Sequence, residues 1–356
     1  MKVAGLVRAL IVDDSRTARL ALRAVLESEA GLCVVGEAEG GPEALARARS
    51  LKPDIVLMDV YLRDHNGLDV AAELMSTSPC PILAVTAANP TDPALVFRGM
   101  EVGVLDIALK PPAPDSPGYE EARRRLTRLV KALARVPVVH RFTSARAAPR
   151  PAPVPAPPTV PGLLALGAST GGPPVVKAIL ELLPPPFPLP VVLVQHMTTG
   201  FGHGFAKWLA DVTRHRVVVV EGAQALEPGV VYVAHDDRHL RLATPRTLAP
   251  DDAGPVRHQR PSIDVLFESV ARHLGGATTL AALLTGMGDD GARGLLALRE
   301  AGAVTIAQAP ASCVVDSMPS EAIARGAALR VLAPGEIATA AQQHALSAVT
   351  ARRPTT

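Results

Sequence analysis

Short apolar runs at residues 8–12, 33–38, 55–58, 82–86 and 107–109 alternate along the first third of the chain with segments 18–27, 42–50 and 68–75, whose apolar positions recur at helical spacing. Runs this short, apolar on both sides of the pleat, suit strands buried on both faces, and the periodic segments between them suit amphipathic helices. The alternation predicts βαβ units and a parallel sheet. The same grammar returns after residue 161. Apolar runs at 163–167, 191–195, 217–220, 230–234, 280–285, 304–308 and 329–333 are separated, for the most part, by helical segments, one of them at 174–183. A second α/β domain, doubly wound and mostly parallel, is expected there. No fixed-period repeat runs through the chain, so a solenoid is not expected.

Between the two halves, residues 146–161 carry proline at nearly every second position from Pro149 onward. Such a segment holds neither a helix nor a central strand and favours extended polyproline II, a semi-rigid linker. The expected organisation is a first domain at 7–125, a linker at 126–160 that is Pro-rich from 149, and a second domain at 161–350. At 356 residues the chain is long enough for two domains that each bury a core. The charge balance, 36 Lys and Arg against 34 Asp and Glu, gives a net +2 and no long-range field directed at nucleic acid. Cys33, Cys80 and Cys313 form no Cys-x-x-Cys pair, which argues against a disulfide framework or a zinc cage and fits a reducing cytoplasm. Asp13 and Asp14 interrupt the apolar start before any cleavage pattern, and no run reaches the ~18 apolar residues of a membrane span. A cytoplasmic protein without direct membrane insertion is expected.

Candidate chemistry gathers beyond strand ends, where open parallel sheets bind their ligands. Asp13 and Asp14 follow the first predicted strand, Asp59 the third, Thr86 ends the fourth, and Lys110 follows the fifth. Clustered carboxylates repel unless a cation neutralises them, and Mg²⁺ suits two or three carboxylate oxygens plus water. Asp13, Asp14 and Asp59 are therefore the candidate metal ligands, with Asp59 the nucleophile toward a phosphoryl donor. Residues 8 to about 125 resemble a response-regulator receiver domain, a flavodoxin-like fold with a five-stranded parallel sheet. The resemblance implies a phospho-acceptor at Asp59, switch residues at Thr86 and Lys110, and a sensor histidine kinase as phosphodonor. Two positions depart from the family: Leu62-Arg63 replaces Met-Pro, and Ile107 stands where an aromatic is common. The basic residues Arg123, Arg124, Arg125, Arg128 and Lys131 read as the solvated face of the receiver's last helix.

In the second half, the strand 163–167 runs into Gly167-Ala168-Ser169-Thr170-Gly171-Gly172-Pro173 and then a helix, the layout of a nucleophile elbow. Ser169 needs a base, and His196, ending the run 191–195, lies at the same sheet edge if the strands are parallel. An orienting carboxylate is available at Asp289 or Asp290, after the strand 280–285. The backbone N–H of Thr170 is a natural oxyanion donor. The order Ser, His, Asp is not that of α/β-hydrolases. His235 and His239 have metal-like spacing but no evident third ligand, and Cys313 sits beside apolar residues and is expected to be inert.

The segments Gly-Ala-Ser-Thr-Gly-Gly-Pro, Val-Gln-His-Met (194–197), Arg-Pro-Ser-Ile-Asp (260–264), Leu-Thr-Gly-Met-Gly-Asp-Asp-Gly (284–291) and Ala-Ser-Cys-Val-Val (311–315) resemble the chemotaxis response-regulator protein-glutamate methylesterase/protein-glutamine glutaminase family. The resemblance implies a triad of Ser169, His196 and Asp290, an oxyanion contribution near Met287, and Asp289 left to cap the following helix. It also implies a methyl-accepting chemoreceptor as protein substrate, no cofactor for ester hydrolysis, and an activity raised by phosphorylation. Two other readings compete with it: a non-catalytic scaffold that serves as a phosphate sink, and a hydrolase of small esters.

Overall fold

The computed structural model describes residues 5–63, 66–86, 97, 99–136, 162–275 and 278–350, with side chains to 347. The proline-rich linker lies outside the described residues. The chain divides into two compact units, one to either side of residue 145.

In the first unit, strands β1 (Val7–Val12), β2 (Leu32–Ala38), β3 (Ile55–Asp59), β4 (Ile82–Thr86) and β5 (Val104–Leu109) pair in the order β2-β1-β3-β4-β5, every pair parallel. All five residues of β3 and of β4 are buried, four apolar ones as a strand covered on both faces requires and then Asp59 and Thr86 at the carboxyl ends. Helices α1 (Arg16–Glu27), α2 (Gly41–Leu51), α3 (Gly67–Thr77) and α4 (Tyr119–Leu133) accompany the sheet. Ser15 caps α1 by accepting from Ala18 N, and Asn66 caps α3 by accepting from Leu68 N. The boundary expected at 125 falls inside α4. That helix buries Leu126, Leu129, Val130 and Leu133, so the first unit needs residues beyond 125 to complete its core.

The second unit contains β6 (Leu163–Ala168), α5 (Gly172–Leu182), β7 (Val191–Gln195), α6 (Gly202–Thr213), β8 (Arg216–Val220), β9 (Gln224–Ala225), β10 (Val230–Ala234), β11 (His239–Thr244), β12 (Thr247–Asp251), α7 (Ile263–Leu274), β13 (Thr279–Leu283), α8 (Ala292–Glu300), β14 (Val304–Gln308), α9 (Ser317–Ala324), β15 (Arg330–Leu332) and α10 (Pro334–Thr350). Seven strands form one sheet in the order β15-β14-β13-β6-β7-β10-β8, and all their pairings are parallel. From β6 the chain builds outward through β7 on one side, then returns to place β13 on the other. The carboxyl end of β6 is therefore the topological switch point, where such sheets open a crevice.

Strands β9, β11 and β12 form a separate antiparallel sheet that is not among the predicted strands. Polar residues break the apolar run at 239–244 into alternation, the pattern of a strand with one buried face. Leu240, Leu242 and Leu248 fill the same core as Phe267 and Val270 of α7. No helix among the described residues is long and apolar enough to cross a membrane.

Candidate active site and phosphorylation site

Ser169 is the first residue after β6. The turn is completed at Gly171, where φ of +73° is a conformation that glycine adopts without a Cβ penalty. The neighbouring strands clamp it. Ser169 N donates to Thr285 O at 3.0 Å, and Gln195 Nε2 donates at 2.8 Å both to Ser169 O and to His196 O. Gln195 thus ties the serine turn to the end of β7 with one amide. Helix α5 starts with neither an acidic first turn nor a side-chain cap; Gly172 N donates to Ser169 O at 2.8 Å, and Pro173 and Pro174 bring no N–H to this end. A Cβ placed on Gly172 would stand 2.1 Å from Gln195 Oε1 and 2.8 Å from Ala168 Cβ. Gly172→Ala is expected to destabilise the unit by about 1–3 kcal/mol through overpacking, read as a lowered midpoint in thermal unfolding.

His196 leaves β7 with its backbone N bonded to Ala168 O at 2.9 Å, which brings it beside the serine turn. Its ring Nε2 lies 2.8 Å from Asp290 Oδ2, and its Nδ1 is buried without a hydrogen-bond partner. Among the described residues the Ser169 hydroxyl makes no hydrogen bond either. Asp290 follows β13 and is 3 % exposed. Besides the imidazole, it accepts from Ser262 Oγ at 2.9 Å, Ile263 N at 2.7 Å and Asp264 N at 3.1 Å, so it sits on the N-terminus of α7. Burial alone would raise its carboxyl, but the His196 hydrogen bond and charge, with the two backbone N–H groups, outweigh burial and hold it below the ordinary range.

Met287 is half-buried in the loop after β13. Its neighbour Gly286 faces the serine: a Cβ there would lie 2.6 Å from Ser169 Cβ. Asp289 does not cap α8, as the sequence suggests it should. The N-cap is Gly291 without a side-chain hydrogen bond, Asp289 pairs instead with Arg257, and the carboxylate that reaches the start of α8 is that of Asp264. A carboxylate from a facing helix has displaced the local one. His239 is buried, accepts from Ser262 N at Nδ1 (3.0 Å) and reaches Gly254 O at Nε2 (3.0 Å). It therefore supports Ser262, one step behind Asp290. His235 Nδ1 accepts from Asp237 N. Burial pushes the Cys313 thiol up to about 12, which leaves it protonated at neutral pH.

Ser262 and Asp264 lie in the Arg-Pro-Ser-Ile-Asp segment, whose sequence by itself gives them no role. The available signal was a Ser before an apolar-periodic segment with an acidic residue in its first turn, which marks a helix start. Gln195 carried no signal beyond its place at a strand end.

In the first unit, ligand atoms of Asp13, Asp14 and Asp59 lie within 4.8 Å of one another. Lys110 Nζ is 2.7 Å from Asp59 Oδ2 and 2.7 Å from Asp13 Oδ2. The ammonium of Lys110 thus bridges two buried carboxylates. A hard divalent cation fits this donor set of three carboxylates. Burial raises the Asp59 carboxyl above its ordinary value, with the charge of Asp13 adding to the effect and Lys110 opposing it. Among the described residues the buried Thr86 hydroxyl has no hydrogen-bond partner. Arg63, one of the two departures from the receiver pattern, places Nε 3.5 Å from Asp14 Oδ2. Ile107 is half-buried on β5.

Comparison with known proteins agrees over both units. The CheB methylesterase family model matches residues 164–341, and the response regulator receiver domain model matches residues 9–116. The chain is 44 % identical over 336 residues to a protein-glutamate methylesterase/protein-glutamine glutaminase of Anaeromyxobacter dehalogenans, covering 94 % of this chain and 97 % of that one. It is 41 % identical to a protein of the same description from Geobacter metallireducens, covering 94 % and 98 %. The crystal structure of the Thermotoga maritima CheB methylesterase catalytic domain is 32 % identical, with a TM-score of 0.50 over 52 % of this chain and 99 % of that one. The chain therefore belongs to the CheB methylesterase family, in the form that carries an N-terminal receiver domain.

Proposed function

We propose that this chain is a phosphorylation-activated protein-glutamate methylesterase and protein-glutamine glutaminase, with Ser169 as nucleophile, His196 as base and then acid, and Asp290 as the orienting carboxylate. The observation that carries the reading is the state of His196: one ring nitrogen is held by an ionised buried Asp290, and the other is buried, unpartnered and available to a serine hydroxyl. Ser169 Oγ attacks the side-chain acyl carbon of a glutamate methyl ester as its proton passes to His196 Nδ1. The oxyanion takes hydrogen bonds from Thr170 N–H and from the backbone near Met287. The imidazolium formed is stabilised by Asp290. It returns the proton to the departing methoxide, so methanol leaves and an acyl-serine remains. Water then attacks with His196 as base, releasing glutamate and restoring the serine. With glutamine as substrate the same steps release ammonia.

The protein substrate is a methyl-accepting chemoreceptor, and the setting is the cytoplasm, where a sensor kinase supplies the phosphoryl group. In the receiver, Asp13, Asp14 and Asp59 would hold a divalent cation, which when bound neutralises phosphoryl oxygens. Asp59 attacks the donor phosphoryl and becomes an acyl phosphate, and Lys110 and Thr86 are placed to meet its oxygens. Asp59→Asn removes the nucleophile, so stimulation of hydrolysis by a small-molecule phosphodonor is expected to vanish while basal turnover persists. The test of the reaction itself is methanol release from methylated receptor membranes, together with labelling by a serine-reactive fluorophosphonate. An unlabelled wild-type protein that releases no methanol would refute the enzymatic assignment.

A further inference from the structure

We propose that Asp264 is a positioning residue for hydrolysis, acting on the reaction through Asp290; the inference rests on the assignment of Asp290 to the site. The two carboxylates are exchanged between helices. Asp290, just before α8, accepts from Ile263 N and Asp264 N at the start of α7. Asp264, in the first turn of α7, accepts from Gly291 N at 3.0 Å and Gly294 N at 2.7 Å at the start of α8. Each helix thus has two N–H groups at its start satisfied by the acid of the other, with Ser262 Oγ accepting from Val265 N of α7 besides.

The exchange requires the two helix starts to lie almost in contact, and the glycines make this so. A Cβ on Gly294 would stand 3.0 Å from Asp264 Cα, and one on Gly291 would stand 2.6 Å from Ile263 Cγ2. Glycine inside a helix costs about 1 kcal/mol relative to alanine, so Gly294 in α8 is the cost of that approach. Asp264 is 0 % exposed, its Oδ2 has no hydrogen-bond partner, and Arg293 Nε stands 3.6 Å away. Burial raises the Asp264 carboxyl above its ordinary value, with the charge of Asp290 adding to the effect and the Gly294 N–H opposing it, while its Oδ1 holds two backbone N–H groups, one of which belongs to the residue directly after Asp290. Asp264 therefore sets where the Asp290 backbone lies, and Asp290 in turn sets the His196 ring.

The experiment uses the full chain with Asp264→Ala, Asp264→Asn and Asp290→Ala, assayed for methanol release below the melting transition of every variant. Asp264→Ala is expected to lose on the order of 10- to 100-fold in kcat with KM changed by less than about twofold, because the reacting groups are misplaced while the substrate surface is kept. Asp264→Asn retains an oxygen acceptor for Gly291 and Gly294 and is expected to recover to within about fivefold of wild type. The downfield ring N–H proton resonance of His196 bonded to Asp290 is expected in wild type and Asp264→Asn, and weakened in Asp264→Ala. A lowered melting temperature with wild-type kcat in Asp264→Ala overturns the inference, as does an asparagine variant no better than alanine. Wild-type kcat in Asp290→Ala sinks the catalytic assignment itself, whereas an inactive Asp290→Ala beside a fully active Asp264→Ala sinks only the positioning role.

Discussion

Ser169→Ala is expected to reduce methanol release by on the order of 10⁴- to 10⁶-fold, the scale on which removal of the nucleophile disables a serine, histidine and carboxylate set. The remaining donors of the turn and the His196 and Asp290 pair persist in the variant, so a small residual rate over solution hydrolysis is expected rather than none. The variant should fold like wild type. The Ser169 hydroxyl makes no hydrogen bond among the described residues, and the turn is held by backbone groups: Ser169 N on Thr285 O, and Ser169 O under Gln195 Nε2. Wild-type and variant melting curves should therefore superpose within about 0.5 kcal/mol. Fluorophosphonate labelling should disappear with the activity. A variant that keeps a tenth or more of the activity, at about that fraction, would mean that another group attacks the ester.

Asp290→Ala is expected to combine loss of activity with loss of stability. Without the carboxylate, His196 Nε2 loses its partner, the ring is free to choose the other tautomer, and kcat is expected to fall by about 10⁴-fold. The Ser262 hydroxyl and the N–H groups of Ile263 and Asp264 lose their buried acceptor as well. Leaving such donors unsatisfied costs about 1–3 kcal/mol each before relaxation, so the melting temperature should drop measurably. The pH dependence has a definite sign. The folded-state pKa of Asp290 is depressed, so its contribution is fully present above the unfolded carboxylate value of about 3.9 and is lost as pH falls through the lower folded value. The stability gap between wild type and Asp290→Asn, measured by denaturant titration, should be widest at neutral pH and close under acid. A gap that widens on acidification would contradict the ionised buried carboxylate.

Much of the fold follows from local pattern. The strands β3, β4, β7 and β10 are five residues long, buried along their whole length and apolar over at least their first four, and a run of that kind between amphipathic helices has few alternatives to a parallel sheet. Once the sheet is parallel, the positions of Ser169 and His196 directly after β6 and β7 follow from chain direction alone, and the loop that carries Asp290 leaves β13 at the same edge. The antiparallel sheet of β9, β11 and β12 was less legible. Gln224–Ala225 is too short to carry a pattern, and Arg241 between Leu240 and Leu242 reads as a polar interruption until α7 is known to cover the leucine face.

The linear sequence determined the strand grammar, the common edge of the candidate residues, and the resemblance that joins a receiver to a hydrolase. Tertiary structure alone decided which ring nitrogen of His196 meets Asp290, across 94 positions of sequence, and which acid serves which helix. Asp289 is the nearer acid to the start of α8, yet Asp264 occupies that place from 27 positions before Gly291. The reason is physical. Capping preference is a local propensity worth about 1 kcal/mol, and it yields when two helices are brought close enough by glycine for a buried carboxylate to satisfy two N–H groups at once.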